Sequence, residues 1–83
     1  MLYSAKEYTM PDSFEFYIHY SGSKKICRIE TKEDNYEVFL NDEFITTMRY
    51  DHHGKWYQVG GTSLPYETVM AIGDGIDSYL LSH

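Results

Sequence analysis

From Ser13 to Tyr20 the chain reads SFEFYIHY, with apolar and polar positions alternating. Phe14, Phe16, Ile18 and Tyr20 point one way; Glu15, Tyr17 and His19 point the other. Period-two alternation of this kind predicts a half-buried strand. The turn Ser21-Gly22-Ser23-Lys24 follows, and Gly22-Ser23 suits the centre of a type II′ hairpin because glycine accepts positive φ. Ile26 to Thr31, ICRIET, reads as the second strand. With Gly22-Ser23 at the centre, Ile18 lies opposite Cys27, Phe16 opposite Ile29 and Phe14 opposite Thr31. That register collects the apolar members on one face, whereas a one-residue slip would turn Cys27 and Ile29 away.

Lys32-Glu33-Asp34-Asn35 is a second turn signal. Tyr36 to Leu40 then places Tyr36, Val38 and Leu40 opposite Thr31, Ile29 and Cys27. Within Asn35 to Tyr50, NYEVFLNDEFITTMRY, the pair Asn41-Asp42 separates two β-rich runs and predicts a hairpin. Phe44 to Tyr50 is the fourth strand, with Ile45 and Thr47 joining Val38 and Leu40 on the inner face. Asp51-His52-His53-Gly54 is a third turn, and Gly54 fits a left-handed position followed by a bulge. Lys55 to Val59 is the fifth strand; the bulge leaves open which face takes Trp56.

Past the loop Gly60-Gly61-Thr62-Ser63 the period changes. Val69, Ile72, Gly73, Ile76, Tyr79 and Leu80 recur at spacings of three and four, which predicts a helix over 64–81. Pro65 is tolerated in the first turn, and Glu67 complements the positive helix end. Gly73 lies in the apolar stripe, where a missing side chain lets the helix approach a sheet. Gly75 lies off it and is expected to cost about 1 kcal/mol relative to alanine. Short, hairpin-like links predict an α+β fold: an antiparallel meander of about five strands with one C-terminal helix packed on one face. The chain reads as a single domain over 1–83, with an N-terminal arm over 1–12, the sheet over 13–59 and then the helix. The expected core is Phe14, Phe16, Ile18, Cys27, Ile29, Val38, Leu40, Ile45, Val69, Ile72 and Ile76.

Composition narrows the function classes. The 83 residues carry a net charge of −6, and their basic side chains are scattered. Such a chain is repelled by phosphate backbones and anionic lipid, so neither nucleic acid nor membrane is expected as a partner. Aromatic residues make up 17% of the chain, nine of them tyrosines, which favours half-exposed sheet faces and interfaces. The single cysteine, Cys27, cannot form an internal disulfide, and the start MLYSAKEYTMPDS has no secretory apolar region. Both features point to a cytoplasmic setting.

The half from Tyr36 onward has hairpins, a Gly54-Lys55-Trp56 strand start and a helix carrying Leu64-Pro65, Ile72-Gly73 and Ile76. In these features it resembles a class of small bacterial proteins with the same hairpin sheet and C-terminal helix. That resemblance implies the fold and brings no activity.

Candidate chemistry is sparse. Asp51, His52 and His53 contain metal-ligand types, but adjacent side chains on a turn diverge and no zinc-like spacing supports them. Cys27 and His19 contain a nucleophile and a base, yet parity puts them on opposite faces of the sheet. Gly60-Gly61-Thr62-Ser63 lacks the lysine of a phosphate loop and follows an antiparallel strand. No catalytic residue, metal or cofactor is expected. The sheet's second face stands out instead: it is expected to carry Tyr17, His19, Arg28, Phe39, Phe44, Met48 and Tyr50, with Arg28 between Tyr17 and Phe39 in a cation–π arrangement. One helix cannot cover both faces. The chain is therefore expected to be a protein-interaction module, self-associating or binding a protein partner through Tyr17, Arg28, Phe39, Phe44, Met48 and Tyr50. The alternatives are a small acidic inhibitor or immunity-type protein that binds a basic partner, and a ligand-binding domain or enzyme. The last would require a polar cleft near Asp51 to Trp56.

Overall fold

The computed structural model describes residues 12–82. Five strands precede one helix: β1 (Ser13–Tyr20), β2 (Ser23–Lys32), β3 (Asn35–Leu40), β4 (Glu43–Tyr50), β5 (Trp56–Gly61) and α1 (Tyr66–Leu81). The sheet order is β1-β2-β3-β4-β5 with every neighbour antiparallel, so the chain is the α+β meander that its pattern predicts. The arm expected over 1–12 lies outside the described residues apart from Asp12, whose carbonyl accepts the Thr31 N–H (2.9 Å).

Turn chemistry sets the register. Asn41 (φ 50°) and Asp42 (φ 70°) are both left-handed, as a type I′ hairpin requires, and its twist matches that of the strands. The first hairpin closes the same way on Ser21 (φ 53°) and Gly22 (φ 78°), not on Gly22-Ser23. Phe16 therefore pairs with Cys27 and Phe14 with Ile29. The pairing moves by an even step, so the inner face is unchanged while every cross-strand partner differs. Between β2 and β3 the expected pairs form: Thr31 with Tyr36, Ile29 with Val38 and Cys27 with Leu40.

Two bulges then reset the faces. Phe39 pairs with Phe44, but Val38 pairs with Thr46, which leaves Ile45 as an extra residue on β4. Beyond it Thr46 and Met48 turn inward and are fully buried, while Thr47 joins Glu37 on the outer face. The expected inward Thr47 is thus overturned, because a bulge inverts the side-chain phase of everything that follows. The carbonyl of the bulged Ile45 accepts the Thr62 N–H (2.8 Å). Gly61 (φ 82°) lies against the same bulge, where a Cβ would come within 2.6 Å of Thr46 Cα, so only glycine fits. A second shift, between Thr47 and Met48, leaves Val59 as the extra residue on β5. Trp56 consequently pairs with Tyr50 and faces the helix.

Helix α1 lays Val69, Ile72, Gly73 and Ile76 on the sheet, all buried. They close a core with Phe14, Ile18, Cys27, Ile29, Val38, Leu40, Met48 and Leu64. Phe16 and Ile45, expected in that core, are half-buried at its margin, one on the edge strand and one at the bulge. Both helix glycines are contact points. Trp56 lies under Gly73, with Cγ 2.6 Å from where a Cβ would stand, and Phe16 lies equally close to Gly75. The expectation that Gly75 is off the interface is therefore corrected. Tyr79 stacks on Phe14 with centroids 4.1 Å apart and planes 3° from parallel. A polar staple holds the strand-to-helix connection: Gln58 Nε2 donates to Thr46 Oγ1 (2.8 Å) and the Thr62 carbonyl (2.6 Å), and its Oε1 accepts the Leu64 N–H (3.0 Å).

Candidate functional site

On the outer face the strands bring together Tyr17, Ile26, Arg28, Phe39 and Phe44. Arg28 pairs across the sheet with Glu15 and with Phe39. Its guanidinium carbon lies 4.3 Å from the Phe39 ring centroid. Nε reaches Glu30 Oε2 at 3.2 Å, and Nη1 donates to the Asp42 carboxylate. Partial burial works against the charge of Arg28, but hydrogen bonds to Asp42 and Glu30 outweigh it and raise its pKa above the ordinary value. The head group is thus fixed in place and forms a flat cationic surface over the Phe39 ring. Phe39 meets Phe44 edge to face at 5.6 Å and 72°. Beside them Tyr17 is 63% exposed and pairs with Ile26, itself 40% exposed, while Phe44 is 46% exposed.

Four of the expected interaction residues, Tyr17, Arg28, Phe39 and Phe44, therefore share this face. Met48 and Tyr50 do not. The Ile45 bulge turns both to the helix side, where Met48 is fully buried and Tyr50 stands at the sheet's end against Trp56. The expected place of Arg28 is also revised. The even step in the first hairpin moves Tyr17 from Arg28 to Ile26, and the cation over Tyr17 is Lys24, with Nζ 4.6 Å from the ring centroid. His19 is exposed on this face opposite Lys24, across the sheet from buried Cys27. Ile26 belongs to the patch without having been foreseen, although the alternation of ICRI, with Cys27 and Ile29 inward, points it outward. Tyr57, opposite Arg49, and Val59 extend the apolar surface; their facing depends on a bulge that leaves no clear sequence signal.

A second cluster occupies the far end of the helix-facing side. Trp56 touches Tyr36 edge-on (5.0 Å, 77°) and Tyr50 at a tilt (4.8 Å, 55°). Its Nε1 donates to Asp77 Oδ2 on α1 at 3.3 Å. Burial, and then the nearby Asp77 charge, raise the pKa of the Tyr36 hydroxyl. Two open cavities meet here and share Tyr36 and Tyr50. One, of about 430 Å³, is walled by Trp56, Asp77, Leu80 and Leu81. The other, of about 600 Å³, extends to Asp34, Arg49, Asp51, His52 and Tyr57. A cleft near Asp51 to Trp56 is the feature that a ligand-binding reading requires.

The remaining candidates lie on a turn, in the core and in the glycine-rich loop. Asp51 Oδ1 accepts the N–H groups of Lys55 (2.9 Å) and His53 (2.8 Å), which organises the turn; the Lys55 bond is the main cause of its lowered pKa. The His52 and His53 rings lie 4.2 Å apart on that exposed turn, and no group of metal-ligating side chains forms among the described residues. Burial pushes the Cys27 thiol up to about 12, which keeps it protonated near neutral pH. In the glycine-rich loop the N–H groups of Thr62 and Leu64 are taken by Ile45 and Gln58. No helix among the described residues is long and apolar enough to cross a membrane.

The chain matches no protein-family model, no curated protein sequence and no solved structure. Nothing in the comparisons bears on the resemblance of the second half to small bacterial hairpin-sheet proteins.

Proposed function

We propose that the chain is a small interaction module that pairs with a second copy of itself through the outer sheet face. The observation that carries this reading is the open strip of Tyr17, Ile26, Phe39 and Phe44 around the fixed Arg28. Contiguous exposed apolar surface with a polar rim is the usual mark of an interface. Charge placement supports a second copy as the occupant. Lys24, Arg28, Lys32 and Arg49 share this face with Glu15, Glu30 and Glu37, so both signs are present and opposite charges can meet across a two-fold axis. Helix α1 carries Glu67, Asp74 and Asp77 and no basic residue, and face-to-face pairing directs that acidic side away from the contact.

Sedimentation across a concentration series tests the proposal. The wild-type chain is expected to sediment as a dimer. Phe44→Glu is expected to sediment as a monomer with an unchanged circular dichroism spectrum, since Phe44 is 46% exposed and contributes little to the core. A wild-type monomer at every concentration refutes it. The acidic helix also favours a second reading, an inhibitor-like protein that docks on a basic partner. Binding of that kind fades as salt shortens the screening length to about 3 Å near 1 M; salt-insensitive binding counts against it.

A further inference from the structure

The cavity beside Trp56 has walls of a particular chemistry. The Tyr36 and Tyr50 rings are tilted 77° and 55° to the indole plane, so the three rings do not stack in parallel. Aromatic faces carry negative quadrupole density and attract cations, most strongly those that hold water weakly. The Asp77 carboxylate lines the same cavity. So do Leu80 and Leu81 from the last turn of α1, where the helix dipole leaves partial negative charge. A helix of this length commonly has a basic side chain at that end, and α1 has none in its last turn. Glu33, Asp34 and Asp51 line the adjoining cavity and add to the negative field, with Arg49 as the countercharge; its Nη2 lies 3.9 Å from Asp34. Three aromatic rings, a carboxylate and a negative helix end therefore line one opening, and none of the residues walling the smaller cavity is cationic.

We propose that the Tyr36–Tyr50–Trp56 corner binds a small organic cation with a quaternary ammonium group, such as a choline-like molecule. The cation lies against the three rings, with Asp77 as its countercharge. The leucines meet its methyl groups. A volume of about 430 Å³ accommodates a ligand of this size, and a strongly hydrated metal ion would find one carboxylate and apolar walls in place of a ligand set. The site is on the helix side of the sheet, so it stands or falls independently of pairing through the outer face.

Trp56 is the sole tryptophan, which makes intrinsic fluorescence a reporter of this corner. The wild-type chain is titrated with choline and tetramethylammonium, and with 3,3-dimethylbutan-1-ol, the neutral isostere of choline, at constant ionic strength. A saturable change is expected with both cations, at an affinity at least about tenfold above that of the neutral isostere. Asp77→Asn keeps an acceptor for the indole N–H and removes the charge; it is expected to weaken choline binding by about tenfold without moving the melting temperature. Tyr50→Leu, at a position 52% exposed, is expected to weaken binding in the same way while the fold persists. The proposal is overturned by equal binding of the isostere, by the lack of any saturable change, or by unchanged choline affinity in a folded Asp77→Asn.

Discussion

Replacing Gly73 by alanine sets helix propensity against packing. Propensity alone favours the change by about 1 kcal/mol, since glycine in a helix interior sacrifices more backbone freedom than alanine. The sheet opposes it. A Cβ at Gly73 would stand 2.6 Å from Trp56 Cγ and 3.0 Å from Nε1, where carbon contacts settle near 3.5–4.0 Å. One partner must therefore withdraw by about 1 Å. The indole is poorly placed to do so: Cγ is at the root of the ring, Nε1 is tied to Asp77, and Tyr36 and Tyr50 stand against it. If the helix lifts instead, the contacts of Val69, Ile72 and Ile76 loosen. Overpacking of this kind costs about 1–3 kcal/mol, and with both partners held in place the upper part of that range, about 2–3 kcal/mol, applies, which leaves a net loss of about 1–2 kcal/mol after the propensity gain. For a chain of this size that lowers the melting temperature by roughly 5–15 °C. Urea unfolding followed by Trp56 fluorescence measures it. Gly75→Ala is expected to cost less, because the outer edge of the half-buried Phe16 ring can swing aside on the edge strand. A Gly73→Ala chain as stable as wild type would refute the close helix–indole contact.

Other consequences follow from the same packing. Met48→Ala should destabilise by about 2–5 kcal/mol, as expected of a fully buried side chain, whereas Phe44→Ala should cost under about 1 kcal/mol; denaturant midpoints compare the two. Gln58→Leu removes the staple between Thr46, Thr62 and Leu64 and should cost about 1–3 kcal/mol, with amide exchange accelerating first at Leu64. Cys27 holds its proton up to about 12 when folded, against an ordinary 9.0. Its stabilising effect is therefore complete below pH 9.0 and declines as pH rises toward 12, because the unfolded thiol releases its proton first. The loss at pH 10 is on the order of 1 kcal/mol, measured as the difference in alkaline stability between wild type and Cys27→Ala.

Alternation and turn residues made most of the architecture readable. Asn41-Asp42, the pairing of β2 with β3, and the helix stripe from Val69 to Ile76 follow directly from side-chain period and tolerance of positive φ. The first hairpin shows where that logic weakens. Two glycine-containing turns of equal parity both satisfy the apolar face, so the pattern alone does not distinguish Gly22-Ser23 from the Ser21-Gly22 turn that forms. The candidate face was readable as far as Phe44. Beyond it, Met48 and Tyr50 were misplaced because nothing in EFITTMRY marks Ile45 as the extra residue; its cause lies in distant partners, the close approach of Gly61 and the bond from Thr62. The corner of Tyr36, Tyr50 and Trp56 was hidden for the same reason, since it forms only when both bulges have acted.

The bulge at Ile45 works like a change of reading frame. Upstream residues are written in one phase and downstream residues in the other, and the inserted residue lets both phases be read onto one core. Loss of the bulge with every residue retained would mistranslate the strand, exchanging Thr46, Met48 and Tyr50 with Thr47 and Arg49. Deletion of Ile45 itself instead leaves Phe44 and Thr46 in simple alternation and every later residue on its present side. Any relative that lacks a residue at this point should therefore keep the same order of buried and exposed positions on an unbulged fourth strand, and an alignment that ignores the gap would pair buried positions with exposed ones.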